Sequence, residues 1–557
     1  MIVAGLLEVV SLSAVIPFIA ILTSPDEILD IEIVNYFAVS FAFTEPRDLV
    51  LPITVLFVAL AFISGIFRIF VLYLTTKISY VTGHDLASKV YWKTLHQPYT
   101  THMARSTSEI VSAITIKVGG VVATFITFLT LANSVILSGL ILITLFVINP
   151  LISTIVILSF SLFYLISSFL SSNTLKVNST IIANNQDKVV KNIQEGLGGI
   201  RDVLLDNSQD YFTQDFKKHD KILKNAQSVN YVISQTPKFV IETIVICVIS
   251  ILAYSFASET SGIITLLPTL AAMAVAAQRL LPAAQQGYNA YTALVGSHSS
   301  LLDVLDLLDQ EASKRTSDKF VSALNFKESI EFRNVSYKYP NTDSIILNSL
   351  DFKIRKGEVI GIIGETGSGK STLIDCIMGL LEPTSGVILV DERELNKTNL
   401  NSWKKNIAHV PQSVFLTDAS YKENIAFGEN KNNIDINLVK EAASSAQIDN
   451  FILGQEKGYN DMVGELGNRI SGGQMQRIGI ARALYKSCSV LVLDESTSSL
   501  DNQTEEKILQ VINNLGPDKT IFMIAHRLTT LKYTDRIFEL KNGRLVEEMS
   551  FQEMIGR

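Results

Sequence analysis

Glu358-Val-Ile-Gly-Ile-Ile363 runs directly into Gly364-Glu365-Thr366-Gly367-Ser368-Gly369-Lys370-Ser371-Thr372. The first six residues read as a buried strand. The glycine-rich stretch after them has the spacing G-x-x-x-x-G-K-S, with a helix predicted from about 370 to 380. Glycines at 364, 367 and 369 let backbone N–H groups turn inward around phosphate oxygens, where a Cβ would clash. The N-terminus of the next helix adds its positive end. Lys370 then reaches the β- and γ-phosphates, and the Ser371 hydroxyl is placed for Mg²⁺. The stretch predicts an α/β nucleotide-binding domain of the P-loop type.

A second run, Val490-Leu491-Val492-Leu493-Asp494-Glu495, is four apolar residues ending in two acids. A strand of this kind brings a carboxylate to the C-terminal edge of a doubly wound sheet, beside the phosphate loop. Asp494 is the Mg²⁺ partner, directly or through water. Glu495 can orient or deprotonate an attacking water. Alone, an apolar run before Asp-Glu is an ordinary strand end; downstream of the glycine loop it reads as a hydrolytic site. Further strand-like segments at 329–337 and 345–354 precede the loop.

Taken together, the C-terminal part resembles an ATP-binding cassette domain over nearly all of 329–557. Ile470-Ser471-Gly472-Gly473-Gln474 resembles the family signature, with Ile where Leu is usual. Gln412, in Val410-Pro411-Gln412, matches the glutamine loop that senses the metal and the membrane domain. Ser498-Ser499-Leu500-Asp501 matches the D-loop, and His526, in Ile524-Ala525-His526-Arg527, the switch histidine at the γ-phosphate. Tyr339 stands where the family stacks an aromatic on adenine. Read bare, His526 would be a structural histidine and Tyr339 a core or surface aromatic; the order of motifs gives them their roles. The resemblance implies ATP and Mg²⁺ as ligands, with Ser371, Gln412 and Asp494 toward the metal. It also implies a homodimer, because the Ser471 cradle of one cassette completes the site of a facing copy.

Upstream the composition changes. Residues 1–300 carry 18 Asp+Glu and 17 Lys+Arg, whereas the shorter remainder carries 36 and 30. A charge-poor half joined to one of ordinary soluble composition excludes a simple soluble enzyme. The net charge of −7, with neither half strongly basic, argues against nucleic acid as a partner. Three widely separated cysteines, Cys247, Cys376 and Cys488, make no disulfide framework and no four-ligand zinc site.

A membrane span needs about 20 mostly apolar residues. Five or six stretches qualify, at roughly 2–22, 50–74, 120–147, 151–172, 239–257 and 263–284, the last being Ala-rich and weakened by Pro268, Arg279 and Pro282. Asn149-Pro150 joins the third and fourth as a tight hairpin. Segments 75–119 and 173–238 hold five and nine Lys/Arg, while 23–49 holds Arg47 alone among six acids. By the positive-inside rule both long basic segments and the C-terminal half face the cytoplasm. These segments read as helical extensions of the spans, broken near Gln97-Pro98-Tyr99 and Asp206-Asn207-Ser208, with short transverse helices expected at 98–108 and 205–215. The domains are therefore 1–310 transmembrane, 311–328 linker and 329–557 cassette.

Met1 leads straight into apolar sequence with no basic n-region, so a cleaved signal peptide is not expected. Pro25–Phe43, acidic and then aromatic, reads either as an interfacial helix or as an ordinary outer loop. Glu8, Arg68, Glu242 and Arg279 fall in or beside spans. Each must face the bundle interior, water or a partner. Two readings stand: intramembrane pairing with Glu8 or Glu242, or snorkelling to the inner interface, which the two acids and two bases favour; or contact of Arg68 and Arg279 with an anionic substrate group.

Membrane domain first and cassette second resembles the exporter branch of the ABC transporters: six spans and one cassette, doubled, in the bacterial inner membrane. Met462-Val463-Gly464-Glu465-Leu466-Gly467 resembles the exporter loop that meets the transverse helices, with Leu466 where Arg is usual. Glu8, the aromatic outer segment, Pro237-Lys238 with Glu242, and Arg279-Leu-Leu-Pro282 resemble bacterial flippases for lipid-linked oligosaccharides. Those carry an extra N-terminal helix that this chain lacks, which implies a misplaced start or a trimmed chain. The implied function is ATP-driven export or flipping of an amphipathic, lipid-linked substrate. General lipid, multidrug or peptide export remains the alternative. A peptide exporter is disfavoured because no N-terminal protease-like Cys/His segment is present, and a regulated channel because the hydrolytic set is intact.

Overall fold

A computed structural model of the protein describes residues 1–23, 49–148, 150–257, 263–309, 323–340, 342–464, 467–495, 501–516, 518–525, 527 and 530–556. Segment Pro25–Phe43, most of the 311–328 linker, Glu465, Leu466, Ser498 to Leu500 and His526 lie outside these residues. The chain divides into two compact units, one of Met1–Gln97 with Arg105–Ser313 and the other of Pro98–Ala104 with Lys314–Arg557.

The N-terminal unit is helical. In order come α1 (Ile2–Ser13), α2 (Val15–Thr23), α3 (Val50–Leu95), the short α4 (Tyr99–Ala104) assigned to the other unit, and α5 (Thr107–Ser112). A π-helical turn, Ala113–Lys117, leads into α6 (Val118–Ile148), followed by α7 (Pro150–Gly198), α8 (Ile200–Leu205), α9 (Gln209–Ala257), α10 (Ile263–Gly296) and α11 (His298–Asp309). At 1.5 Å per residue the 46-residue α3 and the 49-residue α7 and α9 run about 70 Å, twice the hydrocarbon thickness. The expected helical extensions are thus continuous with the spans. Among the described residues three helices, Val50–Leu95, Thr107–Val147 and Ile157–Gly198, are long and apolar enough to cross a bilayer. The first expected span is two helices with a break at Ala14, and part of the last two falls on side chains outside those described.

The breaks are where the sequence placed them, but the second short helix is not. Gly198-Gly199 ends α7, and α8 occupies Ile200–Leu205 before the Asp206–Ser208 turn, in which Asn207 takes the left-handed φ of 49°. By Gln209 the chain is already in α9. The expectation of a short helix over 205–215 is therefore corrected to 200–205: the glycine pair, the weakest helix formers after proline, ends α7, and Asn tolerates the left-handed turn.

Tyr164, Ser171, Asn178 and Asn185 recur every seventh residue of α7, two turns apart, and so share one face. Tyr164 donates to Gln285 at 3.5 Å, Ser171 and Tyr288 pair their hydroxyls at 3.3 Å, Asn178 Nδ2 donates to Asn230 at 2.8 Å, and Asn185 meets His219 Nδ1 at 3.0 Å. A polar seam thereby joins α7 to α10 and α9, with each polar group satisfied by another, as apolar surroundings require. Beside it, Lys117 is 5% exposed and donates to Asp187 of α7 at 2.8 Å and Asp303 of α11 at 2.6 Å.

The C-terminal unit carries two sheets. One is antiparallel, ordered β2-β1-β4-β5, from β1 (Ser329–Lys338), β2 (Ile345–Arg355), β4 (Ser385–Val390) and β5 (Arg393–Glu394). The other is ordered β10-β9-β3-β8-β7-β6, from β3 (Val359–Gly364), β6 (Ile407–Val410), β7 (Val490–Asp494), β8 (Thr520–Ile524), β9 (Arg536–Lys541) and β10 (Arg544–Met549). All its neighbours run parallel except the β9–β10 pair. The parallel strands are buried on both faces, which is why β3, β7 and β8 read as unbroken apolar runs. One core packs Ile360, Ile362, Val490, Val492 and Phe522 around Trp403, whose indole donates to Ile377 at 2.8 Å.

Candidate functional site: a phosphate loop at the end of a parallel sheet

The loop after β3 leads into α12 (Lys370–Ile377). Gly364 has φ +151°, and a Cβ there would lie 2.3 Å from the Leu540 carbonyl oxygen. Gly369 has φ +103°, with the Ile346 carbonyl 3.1 Å from the same imagined atom. Only glycine allows this path. Lys370 is buried and folds its ammonium back over the loop, donating to the carbonyls of Gly364 at 2.8 Å and Glu365 at 3.0 Å. The Ser368 hydroxyl is buried with no hydrogen-bond partner among the described residues, while Glu365, Thr366, Gly367 and Ser371 are exposed. A tight glycine cradle, a cation poised over it and an unspent buried hydroxyl together fit a polyphosphate.

β7, two strands from β3, ends in Asp494, as the apolar run required. Glu495 is next, in the left-handed region at φ 47°, with its N–H on the Ile524 carbonyl at 3.2 Å. An L-residue held there is strained, and such strain gathers at functional positions. Gln412, just beyond β6, donates from Nε2 to Glu495 Oε2 at 2.8 Å. The glutamine and the acid are thus brought together by neighbouring strand ends. Ser371, Gln412 and Asp494 offer a hydroxyl, an amide oxygen and a carboxylate, the oxygen donors Mg²⁺ takes.

Tyr339 is half-buried, with its hydroxyl 3.1 Å from Thr372 Oγ1 and its ring edge-on to Tyr337. Ser471 caps α13 (Gly472–Tyr485) in a capping box: its Oγ accepts from Gln474 N, and Gln474 Oε1 accepts from Ser471 N at 2.8 Å. Ser471 and Gly472 are exposed at this helix start, and Gly473 lies half-buried behind them. Asp501 likewise caps α14 (Asn502–Asn513) by accepting from Thr504 N at 3.0 Å. Hydrogen bonds from Thr504 hold its carboxyl below the ordinary range.

Sequence reading missed Asp375, on α12 five residues past Lys370. Burial, with the negative charge of Asp494 added, pushes its carboxyl from 3.8 up to about 6. Helical spacing in the Lys370–Ile377 segment is the only available signal, and it does not reveal the charge of Asp494, more than a hundred residues on. A carboxyl raised in the folded state binds its proton more tightly there than when unfolded. Stability from this group is therefore full below about pH 4 and falls as pH rises toward 6. Asp375→Asn should flatten that part of the melting-temperature profile of the purified chain; an unchanged slope between pH 4 and 6 would show that Asp375 titrates normally.

In the N-terminal unit Glu8 is buried, and its Oε1 lies 3.5 Å from both Arg68 Nη1 and Arg279 Nη1. The two guanidinium side chains remain 52% and 47% exposed. Pairing of bases with acid therefore occurs, but as two to one. Glu242 is exposed and takes no part in the ion pairs among the described residues.

Residues 347–498 match the family model for the ABC transporter domain, and residues 32–278 match that for the ABC transporter transmembrane region. The chain belongs to the ABC transporters. It joins a transmembrane region and an ATP-binding cassette in one polypeptide, the make-up of a half-transporter. It is similar to the beta-(1→2)glucan export ATP-binding/permease protein of Bartonella bacilliformis, 36% identical over 263 residues, covering 47% of this chain and 44% of that one. The protein of the same description from Rhizobium etli is 38% identical over 264 residues, with the same coverage. The transporter chain thus spans about half the length of the curated relatives it matches. A solved bacterial Atm1-family ABC exporter with ATP bound has the same fold, at TM-score 0.80 and 23% identity over 100% of this chain and 96% of that one.

Proposed function

We propose that this ABC transporter chain works as a homodimer that couples ATP hydrolysis to export of a saccharide carried on an anionic lipid link. For hydrolysis, the supporting arrangement is Lys370 over the glycine cradle with Glu495 held by Gln412 and Ile524. Lys370 leaves the two loop carbonyls to meet phosphate oxygens, and Glu495 orients the attacking water and takes its proton. Ser371, Gln412 and Asp494 would hold Mg²⁺, which would neutralise phosphate charge when bound. His526 and the D-loop Asp501 complete the set by resemblance, and Ser471 to Gln474 of the facing copy close the site. Because closure requires both copies, ATP binding favours the closed pair and hydrolysis releases it. A purified subunit held single, in discs too small for two, should hydrolyse little ATP; turnover equal to the dimer's would overturn this.

The cargo reading rests on the Glu8 trio. Among the described residues, one buried carboxylate faces two half-exposed guanidiniums, a net positive charge at membrane depth that a phosphate-type group would complement. A neutral glucan carries no such group, whereas a polyprenyl pyrophosphate glycan does. In liposomes, ATPase stimulation should track the pyrophosphate-linked glycan and not free beta-(1→2)glucan or simple phospholipid. Arg68→Ala with Arg279→Ala should remove that stimulation, about ten-fold or more, while leaving basal ATP turnover. Equal stimulation of the variant by the linked glycan would refute the anionic contact, and stimulation by the neutral glucan alone would favour glucan export.

A further inference from the structure

We infer that Gln476 and Arg482, both on α13, are positioning residues for ATP hydrolysis, tying that helix to Glu495 and to the loop that follows Gln412. Gln476 is 4% exposed, and its Nε2 donates to the Glu495 main-chain carbonyl at 3.5 Å. Six residues on, Arg482 donates from Nη1 to the Phe415 carbonyl at 3.0 Å and from Nε to the Asn424 carbonyl at 2.9 Å. Its guanidinium lies 4.5 Å from the centroid of the Phe427 ring. Midway between the two, Gly479 brings the helix against the same loop: a Cβ there would lie 2.6 Å from Val414 Cγ2. Gln412 closes the circuit, since its Nε2 donates to Glu495 Oε2 at 2.8 Å. A ring therefore runs from α13 through Gln476, Glu495, Gln412, Phe415 and Arg482 back to α13.

Every oxygen that Arg482 meets among the described residues is a main-chain or amide carbonyl. A guanidinium spent in this way adds direction: its planar fork fixes both place and orientation of the loop, which an apolar side chain would not. Glycine inside a helix is disfavoured relative to alanine, and here it permits the close approach to Val414. The strained Glu495 is thereby held on three sides, by Ile524 at its N–H, by Gln476 at its carbonyl and by Gln412 at its carboxylate. Two of those three holds belong to the ring, and α13 is the rigid spacer that keeps them in register. Misplacement of a reacting group by about 1 Å is worth up to about 100-fold in rate.

The inference deepens the ATPase reading above and rests on it. In the full-length chain in liposomes, Gln476→Met keeps length and burial but removes the donor. Arg482→Lys keeps a cation beside Phe427 but loses the fork that holds two carbonyls. Each should lower kcat for ATP about ten-fold, with KM within about two-fold of the wild type and an unchanged melting temperature. The double variant should be no slower than the slower single one, since either cut opens the ring. Tyr485→Phe removes another bond of the same helix, to Glu429 Oε2 at 2.9 Å, outside the ring, and should leave kcat unchanged. Normal kcat in either single variant, additive losses in the double variant, or an equal loss in Tyr485→Phe would overturn the positioning role. So would a kcat loss matched by a lower melting temperature. Failure of the wild-type chain to hydrolyse ATP would instead defeat the ATPase reading on which the inference stands.

Discussion

Glu495→Gln should lower ATP turnover by about 10²- to 10⁴-fold, the range lost with a general base, while ATP still binds. The substitution leaves the frame intact. Glu495 is fixed by its backbone, in the left-handed region at φ 47° and bonded to the Ile524 carbonyl at 3.2 Å. Neither constraint depends on the charge of the side chain. A glutamine can still present an oxygen to the Gln412 amide. It cannot accept the proton of the attacking water. Lys370, Ser368 and the glycine cradle are untouched, so affinity should stay within a few-fold of the wild type. Steady-state phosphate release alongside equilibrium ATP binding separates the two effects. Turnover at the wild-type rate would remove Glu495 from the chemistry.

The second large effect is expected far from the nucleotide. Lys117 is 5% exposed and holds two carboxylates, Asp187 and Asp303. Asp187→Asn with Asp303→Asn would leave a buried ammonium without a countercharge. Stranding one partner of a buried ion pair costs about 3–5 kcal/mol, and the 40% exposure of the Asp303 side chain sets the expectation at the lower end. A melting-temperature drop of several degrees in detergent would register it. Adding Lys117→Met should return most of the loss, because the whole buried charge is then gone. If the double neutralisation melts like the wild type, water reaches Lys117 and the group is no buried lock between α7 and α11.

Much of the cassette was legible because its signals are local. Glycine spacing before Lys370 reports a backbone path that only glycine can take, and the run 490–493 reports a strand covered on both faces. Those constraints act within a few residues, so a linear reading captures them. The extension of α3, α7 and α9 beyond the bilayer was legible too, from long polar continuations without strong breakers. The short helix after α7 was misplaced by several residues because the sequence shows the turn at 206–208 more clearly than the weaker stop at Gly198-Gly199.

The linear chain by itself therefore determined the kind of molecule: apolar spans, a phosphate-binding loop, an acid at a strand end, and the order in which they occur. Folding alone decided which distant groups meet. Asp375 feels the charge of Asp494, Glu505 holds Arg527 and Thr530, and Glu8 sits between Arg68 and Arg279. Each depends on strand order or helix packing that brings together residues tens to hundreds of positions apart. Charge and hydrogen bonding act over a few ångströms of space, and no short-range pattern along the chain encodes that proximity.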